Sequence, residues 1–283
     1  MHRIAAAALN RGCIMTHIAS RIAWALLAAT AAMPVAAAEG YAIWDNFDGA
    51  TQIAPTRWVG MERRRLVESG AMRVVQRDLG NQSGNTGALN SSWDSQLSSK
   101  TSAITQMRAV VTVDDIDATA CGTNPVGSTV EARLVGLFFN AGPGVPTSLV
   151  NDVGAKVRIL RDSNDTDGPN VVSVEGQVFQ CTVADCNAND LILGSVSLGT
   201  ATLGEAVQLR LEWDPANNRF NFFRGSNPVA RVPYAVSDAL PPYYTLRAIG
   251  TKTSMANCFG GNRTEGRISA KFDKVSVNAS AAP

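Results

Sequence analysis

The sequence predicts an all-β fold, an antiparallel β-sandwich of two sheets, and three observations favour it. Short alternating or continuous apolar runs follow one another along the chain, separated by clusters of Gly, Pro, Asn and Asp, a pattern typical of strands joined by turns. After residue 38 the chain shows no sustained helical period. The spacing is even, without a linker, a low-complexity tract or an internal repeat, so we expect a single domain over residues 39–283.

The predicted strands follow from these runs in chain order. They are Arg64–Val67, Ala71–Gln76, Ile104–Val113, Val130–Phe139, Ala155–Arg161, Val171–Gln180, Leu191–Leu198, Val207–Trp213, Arg219–Arg224, Tyr243–Thr251 and Ile268–Val277. The clearest turns are Glu68–Gly70, which ends in Gly, and Asp214–Asn218, which contains Pro and two Asn residues. We expect each of these turns to form a hairpin.

The first 38 residues are predicted to be a signal peptide. They contain three arginines and no acidic residue, and Ile22–Met33 is almost entirely apolar. Small residues precede Glu39, which predicts cleavage after Ala38. Met15 is an alternative start, because the residues that follow it also form a basic segment. Since the apolar run is shorter than the roughly 20 residues that span a bilayer, we expect a secreted, periplasmic or cell-surface protein that does not span the membrane. The alanine-rich leader is typical of bacteria.

Cleavage changes the chemistry available to the mature chain. The formal net charge falls from +1 to −2, because three arginines leave with the leader. A near-neutral chain without a basic cluster is not expected to bind nucleic acid. Both histidines, His2 and His17, lie in the leader, which removes the usual base of Ser/His hydrolases and the usual ligand of catalytic zinc. Any catalysis would then depend on carboxylates, Lys, Tyr or Ser, without a cofactor.

Four of the five cysteines remain after cleavage, since Cys13 belongs to the leader. An even number in an exported chain favours two disulfides, for which three pairings are possible. We favour Cys181–Cys186, which closes a short segment, and Cys121–Cys258, which joins distant loops. The alternative, a metal site, would need a CxxC pair or a histidine that the mature chain lacks.

The order of aromatic residues and turns resembles a known family. The opening Trp44–Gly49, then Trp58 and the hairpin Arg64–Gln76, resembles the first strands of the concanavalin A-like lectin/glucanase jelly rolls. The segment Val207–Phe223 resembles the late hairpin of laminin-G-like members, in which a strand ends in Trp-Asp before an Asn-rich turn. The resemblance implies that Ile268–Val277 returns beside the first strand. It implies no single function, because this fold hosts lectins, hydrolases, lyases and adhesion modules.

The catalytic string of the glycan hydrolases in this superfamily, Glu-x-Asp-x-x-Glu, is absent from the chain. The nearest carboxylate pair is Glu212 and Asp214, two positions apart and therefore on one face of a strand. One interpretation is a diverged catalytic pair. The other is a solvated outer face that ends in an Asp-Pro turn.

Polar residues alternate on several predicted strands and form the main site hypothesis. The positions are Glu131 and Arg133, Lys156 and Arg158, Glu175 and Gln177, and Gln208, Arg210 and Glu212. If these strands are neighbours, their side chains cover one sheet face, and the resemblance implies that sugars bind on such a concave face. Arginine suits sugar hydroxyls or acidic glycans. The alternative is an exposed antiparallel face, which is polar by default.

Trp93 lies in the polar segment Asn90–Ser95, where a large aromatic side chain needs a contact. It would either stack on the apolar face of a sugar or cap the sandwich. The same alternatives apply to Tyr243 and Tyr244.

A calcium site is a further possibility in the acidic loop 161–169. Its oxygen donors are Asp162, Asn164, Asp165 and Asp167, followed by Gly168. Calcium binds six to eight oxygens, but the spacing is irregular and no Glu follows as it does in an EF-hand. The alternative is an ordinary acidic hairpin loop.

These observations lead to three functional hypotheses. The first is a secreted, non-catalytic binding or adhesion module that recognises a glycan or cell-surface polysaccharide through the concave polar face. The second is a diverged glycoside hydrolase or polysaccharide lyase that uses Glu212 with Asp214 or Glu131. The third is a structural, envelope-associated domain without a small ligand. The missing string and the missing histidines favour the first, so we expect a protein that is not an enzyme.

Overall fold

The computed structural model describes residues 40–60, 65–99, 101–186 and 190–283. The predicted leader, with Met15, Cys13 and both histidines, lies outside the described residues. Within the described ranges, no helix has the length and apolar character that crossing a membrane requires.

Fifteen strands make up the fold of the described residues. They are β1 Tyr41–Asp45, β2 Trp58–Gly60, β3 Arg65–Glu68, β4 Ala71–Leu79, β5 Ala88–Leu97, β6 Gln106–Ala118, β7 Thr129–Asn140, β8 Asp152–Asp162, β9 Val171–Gln180, β10 Leu191–Thr202, β11 Ala206–Asp214, β12 Arg219–Arg224, β13 Ala230–Pro233, β14 Arg247–Ala256 and β15 Glu265–Asn278. Three short 3₁₀ turns lie at Thr101–Ala103, Pro215–Asn217 and Ala279–Ala281.

The strands form two antiparallel sheets. The first sheet has the order β13-β12-β11-β6-β15-β4-β3, and β1 also pairs with β15. The second has the order β10-β9-β8-β7-β14-β5-β2. The predicted all-β sandwich is confirmed, and the last strand lies beside the first as the resemblance implied.

The hydrophobic core lies between the two sheets, because alternate residues of each strand point inward. Trp44, Trp58, Phe220 and Phe222 are buried almost completely. Removing a large apolar side chain from water stabilises the fold by about 1.5–3 kcal/mol. Gly176 on β9 leaves room for this packing, since a Cβ there would lie 2.3 Å from the ring of Phe222 on the opposite sheet.

Both predicted disulfides are present. Cys121 pairs with Cys258, with Cα atoms 5.5 Å apart, and Cys181 pairs with Cys186 at 4.9 Å. The first joins the segment after β6 to the segment after β14, whereas the second fixes a short turn after β9.

Candidate functional site

The polar residues predicted to share one face lie on two different sheets. Arg133 and Arg158 lie on β7 and β8 of the second sheet. Gln208, Arg210 and Glu212 lie on β11 of the first sheet, between β6 and β12. On β11 the alternate leucines enter the core, so these polar side chains point to the opposite surface. The prediction of a single face for all these residues is therefore wrong.

The proposed carboxylate pair, Glu212 and Asp214, takes part in contacts that stabilise the strands of the first sheet. Tyr41 Oη donates to Glu212 Oε1 at 2.9 Å, and Arg210 Nε lies 3.3 Å from the same oxygen. Asp214, the last residue of β11, accepts from Arg219 Nε of β12 at 2.9 Å. These contacts give both carboxylates a structural role.

Trp93 on β5 is partly buried and packs against the core. Its neighbours Ser92 and Asp94 face a cavity on the outer surface of the second sheet, so alternation turns the indole inward, where it packs against the core. The prediction that Trp93 binds a ligand is corrected by this orientation.

The acidic loop uses several of its oxygens within its own turn. Asp162 Oδ1 accepts from the Asn164 backbone amide at 2.8 Å, and Asp165 Oδ2 accepts from the Asp162 amide at 2.8 Å. A calcium ion there, with Asp167 as a further ligand, stays a prediction. Among the described residues, one cluster of potential metal donors is found, Cys181, Cys186 and Asp190. Its two sulfurs form a disulfide, so they cannot act as thiolate ligands.

A groove runs along the outer face of the second sheet. It consists of two adjoining cavities of about 230 and 210 Å³, and Lys156, Asp190 and Lys252 line both of them. The first cavity has an apolar side formed by Val135, Leu137, Leu149, Phe179 and Leu246. The second is polar, with Asn90, Thr129, Glu131, Arg158, Gln177 and Ser254 in its lining. We refer to both cavities together as the groove.

Strand register brings the charged residues of the groove together. Glu131 on β7 is opposite Lys252 on β14. Arg133 on β7 is opposite Arg158 on β8, which is opposite Glu175 on β9. Because side chains alternate along each strand, these residues share the outer face.

Gly250 has only a hydrogen as its side chain, and the space that this leaves brings a residue of β5 into the arrangement. Gly250 is the register partner of both Asp94 and Arg133. A Cβ at Gly250 would lie 2.8 Å from Asp94 Oδ1. Glycine therefore leaves Arg133 room to reach Asp94 across β14.

The charged residues form one network around Glu131. Arg133 bridges two carboxylates, with Nη1 3.1 Å from Glu131 Oε1 and Nη2 2.9 Å from Asp94 Oδ2. Arg158 likewise joins Glu131 to Glu175, whose Oε1 is 3.2 Å away. The alternative of a solvated polar face is wrong for these strands, since Glu131 is only 2% and Arg133 only 6% exposed.

Burial and charge give the ionisable groups of the groove different protonation behaviour. Burial opposes the charge on Glu131, but Lys156, Arg158 and Arg133 together hold its pKa well below the usual range. Burial, together with the positive charges of Arg158 and Lys252, lowers the pKa of Lys156 to about 7. Burial raises the pKa of Asp190 above its ordinary value of 3.8. Such displaced values are typical of functional sites.

Four ionisable residues of the groove were missed from the sequence, Asp94, Asp185, Asp190 and Lys252. For Asp94 a signal existed, because Asn90, Ser92, Asp94 and Gln96 alternate along β5. Lys252 lies just beyond the end of a predicted strand, and Asp190 precedes β10 outside any periodic run.

Neither a protein-family model nor a curated protein matches the chain, but solved structures do. The catalytic domain of an endo-1,3-β-glucanase (laminarinase) from Thermotoga petrophila is 10% identical over 84% of this chain and 98% of that chain, with a TM-score of 0.42. A β-glucanase from Bacillus licheniformis is 10% identical over 84% and 99%, with a TM-score of 0.33. A GlcNAcα1-4Gal-releasing endo-β-galactosidase from Clostridium perfringens is 10% identical over 89% and 65%, with a TM-score of 0.46.

The two antiparallel sheets are consistent with the jelly roll that the sequence resemblance implied. The prediction of a non-catalytic binding module finds no support among the matched structures, which are named as glycan-cleaving enzymes. At identities near 10% the likeness concerns the fold. The activity of this chain has to follow from the residues of its own groove.

Proposed function

We propose that this protein is a glycan-cleaving enzyme, a diverged glycoside hydrolase, whose reaction takes place in the groove. The observation that carries the proposal is a pair of carboxyl groups in opposite environments within one cavity. Asp94 is held by the Arg133 guanidinium, whereas burial raises the pKa of Asp190. Both line the cavity of about 230 Å³. Carboxyl groups whose environments differ in this way are the usual acid and base of glycoside hydrolysis.

The two environments assign the roles. Asp190, which retains its proton to higher pH, is the general acid that protonates the glycosidic oxygen as the bond breaks. Asp94, paired with Arg133, is the carboxylate that attacks the anomeric carbon or removes a proton from the attacking water. Glu131 is unsuited to either role, because Arg133, Arg158 and Lys156 already surround its oxygens. The apolar side of the cavity, including Phe179, would contact the apolar face of a sugar ring.

The test measures reducing-sugar release from a panel of neutral and acidic polysaccharides. We expect release with the wild-type protein and a loss of about a hundredfold or more in Asp190→Asn, as is usual when a general acid is removed. Asp48→Asn is the matched control, since Asp48 is exposed in the loop after β1. Absence of release from every polymer, or full activity in Asp190→Asn, would contradict the proposal.

A second candidate reaction, β-elimination by a polysaccharide lyase, is favoured by Lys156. With a pKa of about 7, this buried amine is partly neutral near neutral pH and could remove the proton next to a uronate carboxylate. Elimination leaves an unsaturated sugar at the new chain end, which absorbs ultraviolet light, whereas hydrolysis does not. Ultraviolet-absorbing products that disappear in Lys156→Met would replace the hydrolase proposal with the lyase.

We infer that the reaction occurs outside the cytoplasm. The predicted leader and the two disulfides support this, because disulfides persist in oxidising compartments. N-terminal sequencing of the secreted protein tests it, with Glu39 expected as the first residue; retention of the whole protein inside the cell would contradict it.

A further inference from the structure

We infer that the groove binds a glycan with an anionic substituent, a uronate carboxylate or a sulfate ester, on the ammonium groups of Lys156 and Lys252. The inference names a substrate class for the proposed cleavage and rests on that proposal for the glycan itself. Its evidence is the position of the two lysines and their incomplete pairing.

The two lysines lie where a ligand would occupy both cavities. Lys156 belongs to β8 and Lys252 to β14, the two strands that flank β7. Both line the apolar and the polar cavity. A chain lying along the groove would therefore pass over both ammonium groups.

Neither lysine is fully neutralised by the protein. Lys156 Nζ lies 3.5 Å from Glu131 Oε1, an oxygen that also accepts from Arg133 at 3.1 Å. Lys252 forms no ion pair within 4.0 Å among the described residues. Its pKa is lowered by burial and by the charge of Arg133, as expected for a cation with too few partners.

The arginines and the lysines of the groove differ in their pairing. Three carboxylates, Asp94, Glu131 and Glu175, accept from Arg133 and Arg158. Two further carboxyl groups, Asp185 and Asp190, line the first cavity, and Asp190 is the proposed general acid. The arginines are therefore held by carboxylates of the protein, whereas the lysines are the cations that a ligand carboxylate or sulfate would contact. Such a contact is a charge-assisted hydrogen bond, which is stronger than a neutral one.

The test compares three polymers, polygalacturonate, a carrageenan and a neutral β-glucan, in binding and cleavage by the full-length protein. We expect an acidic polymer to bind more tightly than the glucan, and Lys252→Met to weaken that binding about tenfold, the effect of one charged hydrogen bond. Polygalacturonate and carrageenan separate a carboxylate from a sulfate ligand. Lys271→Met, which removes a lysine paired with Asp114 on the first sheet, is the matched control.

The outcomes separate this inference from the proposed function. Cleavage of the glucan with no preference for either acidic polymer would overturn the anion site but leave the hydrolase. Lysine-dependent binding of an acidic polymer without cleavage of any polymer would support the anion site and contradict the hydrolase. Lys252→Arg keeps the charge and should retain binding of the acidic polymer, which keeps the test valid should Lys252→Met fail to fold. Equal loss of binding in Lys252→Arg and Lys252→Met would count against a site for an anion at this position.

Discussion

Arg133 donates two hydrogen bonds to Asp94, from Nη2 to Oδ2 at 2.9 Å and from Nε to Oδ1 at 3.4 Å, although strand β14 lies between the strands that carry them. The contact crosses β14 at Gly250, the register partner of both residues. It joins β5 to β7 through side chains alone. Through Glu131 the same guanidinium also connects to Arg158 and β8.

We therefore expect Arg133→Met to destabilise the fold by about 3–5 kcal/mol, the usual cost of breaking a buried charge network, because Glu131 and Asp94 lose a shared partner. The measurement is the free energy of unfolding from urea titration. Arg267→Met is the control; its ion pairs with Asp115 and Asp117 are exposed and should contribute less than about 1 kcal/mol. Equal losses in the two variants would contradict a buried network.

The pH dependence of hydrolysis should report the protonation of Asp190. Since its pKa is raised above 3.8 by burial, the acid form persists to higher pH, and the rate should fall as pH rises through that value. With aryl glycosides whose leaving groups need no proton, Asp190→Asn should retain measurable activity without this alkaline fall. A wild-type rate that instead rises with pH through about 7 would indicate Lys156 as the base.

The sequence predicts those features of the groove that depend on neighbouring residues in one strand, but not those that depend on which strands pair. Alternation within β7, β8 and β9 is local, and it placed Arg133 and Arg158 on the outward face of their strands. Which strands are neighbours is decided by pairing across the whole chain. That is why Gln208, Arg210 and Glu212, which alternate equally well on β11, were wrongly assigned to the same face.

Strand β5 was not predicted from the sequence, for a different reason. Its inward positions Ser91 and Ser95 alternate with Trp93 and Leu97, so the apolar half of the alternation is interrupted. Ser95 is nonetheless only 2% exposed, and Arg65 Nη1 donates to its hydroxyl at 3.1 Å. Buried polar residues interrupt the apolar period by which a strand is detected. Because β5 was not predicted, Asp94, which lies on it, was missed as well.

Lys156 should make stability depend on pH. Its pKa is about 7 in the folded state and 10.5 ordinarily, so between these values the unfolded chain binds more protons and stability should rise with pH. Lys156→Met removes this titration and should flatten the rise in unfolding free energy between about pH 7 and about pH 9.5. Lys271→Met should keep the wild-type slope. An unchanged slope in Lys156→Met would show that Lys156 is not the group responsible.

The two disulfides should differ in their contribution to stability. Cys121–Cys258 spans 137 positions, whereas Cys181–Cys186 spans 5. Because a disulfide limits the unfolded chain more when its loop is longer, replacing the first pair by serines should cost about 5 kcal/mol and the second about 2 kcal/mol. Urea unfolding of the two double variants measures this. Cys186 also lines the groove, so the second replacement should reduce activity although it costs little stability. A larger loss of stability in the second variant than in the first, or unchanged activity in the second, would show that the short disulfide supports the fold rather than the groove.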